Sequence, residues 1–184
     1  MIVVKPNKSG IWQAVVILKK GGVIVYPTDT AYALGGIFNS SKVIKEILKI
    51  KKRKDQKFTL VSSSFAQVRK FFKLSPAAVK LARKNWPGPL SIVVSKRFAV
   101  RVPKNEVARK LARKVGRPII ATSANITGQQ TIYDSSEIMK QFKNRISRPA
   151  LIIDCGKLPK IKTSTVIKVK NNQIEIIRQG SVKI

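Results

Sequence analysis

The sequence predicts an α/β fold in which helices flank a mixed β-sheet, with the whole chain, residues 1–184, forming one domain. Short β-branched segments alternate with segments whose apolar residues recur at i, i+3, i+4 and i+7, as in amphipathic helices. The last two predicted strands, 164–169 and 174–178, flank Asn171-Asn172, a pair typical of hairpin turns. Because a hairpin is antiparallel, the sheet is expected to be mixed.

The first half of the chain supplies three of the predicted strands, at residues 1–5, 23–26 and 58–61. Ser9 is expected to cap a helix that ends at the glycine pair 21–22, because glycine adopts the left-handed conformation that terminates helices. The strand at 23–26 should stop at Pro27, which cannot donate to a sheet ladder. Further helices are predicted from Ser40-Ser41 into the basic run 49–54, at 65–72, and from Ser75-Pro76 to Trp86.

The second half continues the alternation with strands at 90–94 and 98–102, which a short basic turn joins. Asn105 caps a basic helix that ends at Gly116, and a strand at 118–121 leads into residues 122–125, which are expected to open a helix. A helix near 135–143 and a strand at 150–154 precede the final hairpin. The single cysteine, Cys155, is interpreted as a small core residue of that strand.

The charge of the chain is strongly positive, with 38 lysines and arginines, 8 acidic residues and a formal net charge of +30. Ion-pair networks cannot absorb this excess, because too few acids are present to pair with the bases. The surplus therefore faces solvent and favours polyanionic partners such as a nucleotide, tRNA or rRNA. A general lysine enrichment of the source organism's proteins is the alternative explanation.

Several classes of chemistry are excluded by composition. The sequence has no histidine, so neither a Ser-His-Asp triad nor a histidine-ligated metal is available. One cysteine allows no internal disulfide, and the eight acids form no close pair in the sequence, so no protein-caged metal site is predicted. No apolar run reaches the length of a membrane span, and no signal peptide is evident, which predicts a cytoplasmic protein without membrane contact.

Polar residues cluster next to predicted strands, and each cluster has a structural alternative. Residues 28–32 combine three hydroxyls with Asp29 at the carboxyl end of a strand, where α/β sheets bind ligands, but such a turn can also cap itself. The basic run 51–54 can bind phosphates or stay solvated at a helix end. Ser123 and Asn125 can bind phosphate or act as caps, and Arg101 and Arg178 can point to a site or to solvent.

Taken together and in this order, the segments resemble those of the YrdC-like threonylcarbamoyl-AMP synthases. The resemblance covers roughly residues 10–181, and the extra C-terminal domain of some relatives is not expected here. The matching segments are Pro27-Thr28-Asp29-Thr30-Ala31-Tyr32-Ala33-Leu34-Gly35, Lys51-Lys52-Arg53, Trp86-Pro87-Gly88-Pro89-Leu90, Ala99-Val100-Arg101-Val102-Pro103, Thr122-Ser123-Ala124-Asn125-Ile126-Thr127-Gly128, Ser164-Thr165-Val166-Ile167 and Ile177-Arg178-Gln179-Gly180.

The resemblance implies a twisted mixed β-sheet around a basic groove and a nucleotidyltransferase activity. Such enzymes condense L-threonine, bicarbonate and ATP, whose phosphates carry Mg²⁺, into threonylcarbamoyl-AMP and pyrophosphate. A partner complex then transfers the threonylcarbamoyl group to adenosine 37 of tRNA. The residues present suit this reaction, because attack on an α-phosphate needs charge neutralisation and alignment rather than an enzymic nucleophile.

The family pattern also implies a role for individual residues. Lys51, Arg53 and Arg101 are expected to be catalytic, and Arg101 also to clamp the carboxylate of threonine or the carbamate. The positions expected to bind threonine are Thr30, Ser62, Arg101 and Ser164, and those expected to bind ATP are Arg53, Lys57, Ser123, Asn125, Thr131 and Arg178.

One stretch departs from the family pattern, and two other functions stay open. Many relatives enter the strand after the basic run with Lys/Asn-Pro-Leu, whereas this chain has Lys57-Phe58-Thr59-Leu60, so the contact of Lys57 with nucleotide is open. A non-catalytic module that binds tRNA or double-stranded RNA in ribosome maturation is the main alternative, and weak RNA binding is also compatible with the synthase. A carbamoyltransferase-type domain of hydrogenase maturation is the third interpretation, although it usually occurs in a much longer chain.

Overall fold

The computed structural model describes residues 1–171 and 173–184, and ten strands within them join in one twisted, mixed sheet. The strands are β1 (Ile2–Val4), β2 (Ile24–Pro27), β3 (Tyr32–Gly35), β4 (Phe58–Val61), β5 (Leu90–Val93), β6 (Phe98–Arg101), β7 (Ile119–Ser123), β8 (Leu151–Ile153), β9 (Thr165–Lys170) and β10 (Gln173–Arg178). Their order across the sheet is β1-β8-β2-β3-β7-β4-β6-β5-β9-β10. Parallel pairs, such as β4 with β6, and antiparallel pairs, such as β5 with β6, both occur, which confirms the predicted mixed α/β fold.

Helices cover both faces of the sheet. Within the described residues they are α1 (Lys8–Lys19), α2 (Ser41–Lys51), α3 (Phe65–Phe71), α4 (Pro76–Asn85), α5 (Glu106–Val115) and α6 (Ser135–Phe142). Helices α1 and α5 pack against β2, and α5 also contacts β4, to form one core layer. On the opposite face α2 and α6 pack against the sheet in a second layer, and α4 closes a smaller cluster over β5 and β9.

The amphipathic sequence of α5 explains why this helix lies on the sheet. Its apolar residues Ala108, Leu111, Ala112 and Val115 recur at the spacing of one helix face, and all four are buried. The basic residues of the helix occupy the remaining positions. Burial of the apolar stripe therefore orients α5 and leaves most of its charge toward solvent.

Several predicted boundaries depend on capping, and the structure confirms them. The side chains of Ser40, Ser75 and Asn105 each accept a hydrogen bond from the backbone N–H three residues on, as N-caps do. Gly116 ends α5 in the left-handed conformation, with φ of 80°. In the predicted hairpin turn Asn171 has φ of 49°, whereas Asn172 lies outside the described residues.

Four local predictions are wrong. The N-cap of α1 is Asn7 rather than Ser9, because the Asn7 side chain accepts the hydrogen bond from Gly10 N–H. Strand β7 continues to Ser123 and no helix opens at residues 122–125, since α6 begins only at Ser135. Cys155 lies just after β8 rather than within the strand, although it is half-buried and packs against the core as predicted.

The fourth correction concerns residues 32–35, which form β3 although no strand was predicted there. Strand β3 pairs antiparallel with β2, from Ile24 opposite Gly35 to Pro27 opposite Tyr32, so residues 28–31 form the turn of a hairpin. All four residues of β3 are buried, and the strand therefore shows no polar/apolar alternation to predict it.

Among the described residues, no helix is long and apolar enough to cross a membrane.

Candidate functional site

The candidate site is a cavity of about 380 Å³ on the face of the sheet that α1 and α5 partly cover. Val61 is buried against these helices, and its partner across the parallel pair β4–β6 is Arg101, so Arg101 stands on the same face. The cavity is lined by most of the predicted site residues, namely Thr30, Arg53, Lys57, Arg101, Ser123, Thr131, Ser164 and Arg178, and also by Thr28, Tyr133 and Thr163.

The turn between β2 and β3 forms one wall of this cavity. Thr28 Oγ1 donates to the carbonyl oxygen of Ala31 at 2.7 Å and accepts from the backbone N–H of Thr30 at 3.2 Å. The hydroxyl of Thr28 therefore stabilises the turn, as the structural interpretation predicted. The Thr30 hydroxyl lies 3.2 Å from Thr28 Oγ1 at the cavity surface, where it is available to a ligand.

Arg101 is buried at the base of this wall, with only 4% of the residue exposed. Its Nη2 donates to the Thr30 and Thr28 hydroxyls at 3.2 and 3.3 Å, and its Nη1 lies 3.0 Å from Asp29 Oδ1. Asp29 Oδ2 in turn accepts the backbone N–H of Lys104 at 3.1 Å. Burial lowers the pKa of Arg101, and the Asp29 carboxylate opposes this shift.

The guanidinium of Arg101 has hydrogen-bonding capacity left over. Among the described residues, no acceptor with hydrogen-bond geometry faces Nε or Nη1, despite the short ionic approach of Asp29. Both nitrogen atoms are themselves buried, so an anion in the cavity would be attracted by the positive charge of Arg101 rather than held by these two donors. This arrangement is typical of an anion-binding arginine.

Ser164 faces Arg101 from the far wall, and its hydrogen bonds determine how it can bind a ligand. Its Oγ accepts from Ser91 Oγ at 3.1 Å and from Arg178 Nη2 at 3.0 Å. Because a hydroxyl oxygen has two lone pairs, both acceptor sites are then used and the Ser164 proton remains to be donated. Ser164 is therefore oriented as a hydrogen-bond donor for an oxygen in the cavity.

Arg178 reaches the cavity because of an irregularity in the last strand pair. The β9–β10 register shifts between Ile176 and Arg178, and Arg178 then donates through Nε and Nη2 to the carbonyl oxygen of Ser164 at 3.1 and 2.9 Å. Burial, followed by the nearby positive charge of Arg101, lowers the pKa of Arg178. Two guanidinium groups that repel each other thus line one cavity, which favours an anionic ligand.

Arg53 lines the opposite side, in the loop between α2 and β4. Its Nη2 donates to Asp55 Oδ2 at 2.7 Å and to the carbonyl oxygen of Lys57 at 2.8 Å. The guanidinium also lies over the ring of Phe58, 5.4 Å from the centroid. These contacts hold the Arg53 side chain against the cavity wall.

Lys51 does not line the cavity, in contrast to its predicted position beside the phosphates. It is 3% exposed, and its ammonium donates to the carbonyl oxygens of Ser123 and Asn125 at 2.6 and 2.7 Å. Lys51 therefore ties the end of α2 to the loop after β7. A direct contact of Lys51 with a nucleotide stays a prediction.

Because of Lys51, the free energy of unfolding should depend on pH in the alkaline range. Burial, aided by the charge of Arg53, lowers the pKa of Lys51 from 10.5 to about 8. Between these values the unfolded chain binds a proton that the folded chain has lost. The free energy of unfolding attributable to Lys51 should therefore rise with pH there, by at most about 1.4 kcal/mol per pH unit.

Urea denaturation of the wild type and Lys51→Met at several pH values above 8 tests this expectation. Subtracting the variant removes contributions from other titrating groups, including Tyr26, whose pKa burial raises. Equal pH slopes in the two proteins would mean that the two carbonyl acceptors keep Lys51 protonated.

Two further predicted residues also lie behind the cavity wall. Ser62 is fully buried, and no partner for its hydroxyl occurs within residues 1–171 and 173–184. Asn125 donates through Nδ2 to the carbonyl oxygens of Ile126 and Gln129, and so shapes the loop that follows Ser123. The predicted direct contacts of Ser62 with threonine and of Asn125 with ATP stay predictions.

A second groove, of about 560 Å³, adjoins the site at Lys57, Phe58 and Thr59. Its lining combines apolar residues such as Val93 and Val166 with five lysines and arginines, and the buried Arg101 and the Ser164 hydroxyl are outside it. The smaller cavity combines the buried Arg101 with oriented donors, so we assign the candidate site there.

Two residues of the site were missed in the sequence. The sequence predicts Asp29 only as part of a polar turn, whereas in the structure its carboxylate pairs with Arg101. An acidic residue between two threonines was the available signal. Ser91 is fully buried and flanked in β5 by Leu90 and Ile92, and a lone hydroxyl between buried apolar residues was the available signal.

The part of the chain that is described has no cluster of three acidic or cysteine residues able to hold a metal ion.

Comparison with known proteins agrees with this architecture. The model of the family of Sua5, YciO and YrdC, which is described as telomere recombination, matches residues 16–180. A Haemophilus influenzae protein is 33% identical over 193 residues, which cover 96% of this chain and 91% of the relative. The E. coli YciO crystal structure is 30% identical, with a TM-score of 0.85 and coverage of 97% of this chain and 94% of YciO.

A structure of P. abyssi Sua5 complexed with L-threonine is also similar, with 30% identity, a TM-score of 0.86 and coverage of 97% of this chain. The chain spans only 57% of the length of that Sua5 structure. The match over most of the chain and the shared fold together show that this chain belongs to the Sua5/YciO/YrdC family.

Proposed function

We propose that the protein is an L-threonylcarbamoyladenylate synthase, which condenses L-threonine, bicarbonate and ATP to threonylcarbamoyl-AMP and pyrophosphate. The observation that carries the proposal is the buried Arg101, paired with Asp29, in a cavity that also holds the Thr30 and Ser164 hydroxyls. The product would serve N6-threonylcarbamoyladenosine modification at position 37 of tRNA, through a separate transfer complex.

The threonine end of the cavity follows from this donor set. Arg101 would attract the carboxylate of L-threonine or of its carbamate, because it is a buried cation that lines the cavity. Thr30 and Ser164 would contact the remaining polar groups, with Ser164 acting as a donor. The L-threonine bound to P. abyssi Sua5 supports this assignment.

The nucleotide end would be formed by the other cations and the loop after β7. Arg53, Lys57 and Arg178 line the cavity and would neutralise the triphosphate, while Ser123 and Thr131 would contact the nucleotide. Lys51 would act beneath this end by holding the Ser123–Asn125 carbonyls in place. Mg²⁺ would arrive on the phosphates of ATP, which is its usual mode in such sites.

The reaction would proceed in two steps without a protein nucleophile. The neutral amine of threonine attacks bicarbonate, which forms the N–C bond of a carbamate and releases water. A carbamate oxygen then attacks the α-phosphorus of ATP, and the bond to the β-phosphate oxygen breaks to release pyrophosphate. Charge accumulates on the phosphoryl oxygens in this step, where Arg53 and Arg178 would stabilise it.

A pyrophosphate-release assay tests the proposal. Purified protein with ATP, Mg²⁺, bicarbonate and L-threonine should release pyrophosphate and form threonylcarbamoyl-AMP, identified by mass spectrometry. Serine should react more slowly, since loss of one methyl contact costs about 1–3 kcal/mol. Omission of threonine or of bicarbonate is the control.

Absence of product with all substrates present would contradict the synthase. In that case the RNA-binding module would become the preferred interpretation, because a net charge of +30 would still favour a nucleic-acid partner.

A further inference from the structure

The acidic residues of this chain are scarce, and their placement is therefore informative. The sequence has 8 acids against 38 bases. Ion pairs within the described residues include Asp29 with Arg101 and Asp55 with Arg53, and both arginines line the candidate site. A carboxylate beside a site for a triphosphate repels the ligand, so its presence there calls for a separate reason. Asp29 is buried with its arginine, whereas Asp55 is exposed and needs a separate explanation.

Asp55 organises the loop that carries Arg53. Its Oδ2 accepts from Arg53 Nη2 at 2.7 Å, and its Oδ1 accepts the backbone N–H of Lys57 at 3.0 Å. The same Nη2 of Arg53 donates to the carbonyl oxygen of Lys57. The carboxylate thus closes a small ring of hydrogen bonds, and the bond from Arg53 lowers the pKa of Asp55.

This ring leaves the rest of the Arg53 guanidinium available. Both observed bonds use Nη2, and in the described part of the chain neither Nη1 nor Nε has a hydrogen-bond acceptor. The ring of Phe58 supports the flat face of the guanidinium. Arg53 is therefore held in one orientation along the cavity, with two nitrogen donors left for a ligand.

We propose that Asp55 is a positioning residue that fixes Arg53 for the phosphate groups of the nucleotide. The inference rests on the proposed function, in which Arg53 contacts the triphosphate. A long arginine side chain loses rotamer entropy when it binds a ligand, and a side chain that is already fixed loses less. Asp55 therefore strengthens anion binding although its own charge is negative.

This proposal predicts that Asp55→Asn weakens phosphate binding, whereas simple electrostatics predicts that it tightens phosphate binding. If Asp55 acted only as a charge, Asp55→Asn would remove a repulsive anion and tighten the binding of a phosphate ligand. If Asp55 positions Arg53, the same variant should weaken binding about 3- to 10-fold. The asparagine retains an oxygen for the Lys57 N–H, so the loop itself should keep its hydrogen bond.

Inorganic pyrophosphate is the probe, with its dissociation constant measured by isothermal titration calorimetry. The matched control is Glu175→Gln, which also removes one exposed, ion-paired carboxylate, that of Glu175 with Lys168 on the β9–β10 hairpin. The control should bind pyrophosphate as the wild type does, or slightly more tightly. L-Threonine affinity should be unchanged in both variants, and thermal melting should show that both are folded.

A double-mutant cycle makes the test specific. In an Arg53→Ala background, Asp55→Asn should no longer weaken pyrophosphate binding, because no guanidinium remains to be positioned. In turnover, Asp55→Asn should raise the KM for ATP more than it lowers kcat.

The proposal would be overturned if Asp55→Asn bound pyrophosphate as tightly as the wild type or more tightly, or if the wild type did not bind it at all. Failure of the synthase is a separate outcome: pyrophosphate would bind with the expected dependence on Asp55, but no threonylcarbamoyl-AMP would form.

Discussion

Replacing Arg101 by methionine should abolish threonine-dependent pyrophosphate release and destabilise the protein by about 3–5 kcal/mol. The loss of stability arises because Asp29 would remain buried, with 10% of its side chain exposed, without its cationic partner. The loss of activity arises because, under the proposed function, the carboxylate of threonine would lose its cationic partner. Urea denaturation measures the first effect, and the pyrophosphate assay measures the second.

The double variant Asp29→Asn, Arg101→Met separates these two effects. It removes both charges, so it should recover most of the lost stability while remaining inactive, since no guanidinium is restored. A double variant that regained activity would show that Arg101 serves the fold rather than the substrate. A single variant as stable as the wild type would show that Asp29 finds water or another partner.

Alanine at Gly35 should destabilise the protein by roughly 3 kcal/mol or more, through a steric clash in the centre of the sheet. A Cβ atom at this position would overlap the backbone carbonyl of Ile120, which also accepts the Tyr26 hydroxyl at 2.8 Å. Because backbone cannot move aside as a side chain can, the pairing of β3 with β7 would have to open. The same pairing aligns the turn that carries Thr30 with Ser123, so activity should fall as well.

Gly21→Ala is the matched control for this prediction. Gly21 has φ of 78° but open space around its Cα, so alanine there should cost only about 1–2 kcal/mol from backbone strain. Comparable urea midpoints for the two variants would contradict the clash at Gly35.

Local features of the fold could be predicted because their interactions span a few residues. Caps such as Ser40 and Asn105 bond to a backbone N–H only three positions away, so the short sequence segment contains both partners. The hairpin strand at 32–35 was missed for the opposite reason. Its burial on both faces comes from neighbouring strands and helices, which the segment itself does not encode.

The candidate site was predicted in part: most of the predicted residues line the cavity, but Lys51 does not. The family pattern in the sequence assigned Thr30, Arg101, Ser164 and Arg178 to the site, and all four line one cavity. It placed Lys51 in the same set, although this lysine lies beneath the loop after β7. The basic run 49–54 has no feature that distinguishes its buried member from its solvated ones.

By itself, the sequence determined the mixed α/β class, the family resemblance and the absence of histidine chemistry, because composition, periodicity and local motifs carry that information. Only the tertiary structure decided which polar residues meet. Ser91 and Ser164 are 73 positions apart, and they touch because β5 and β9 are neighbours in the sheet. Asp29 likewise meets Arg101 although β3, β7 and β4 lie between β2 and β6 in the sheet. Strand order arises from burial of the whole apolar surface, and no local segment specifies it.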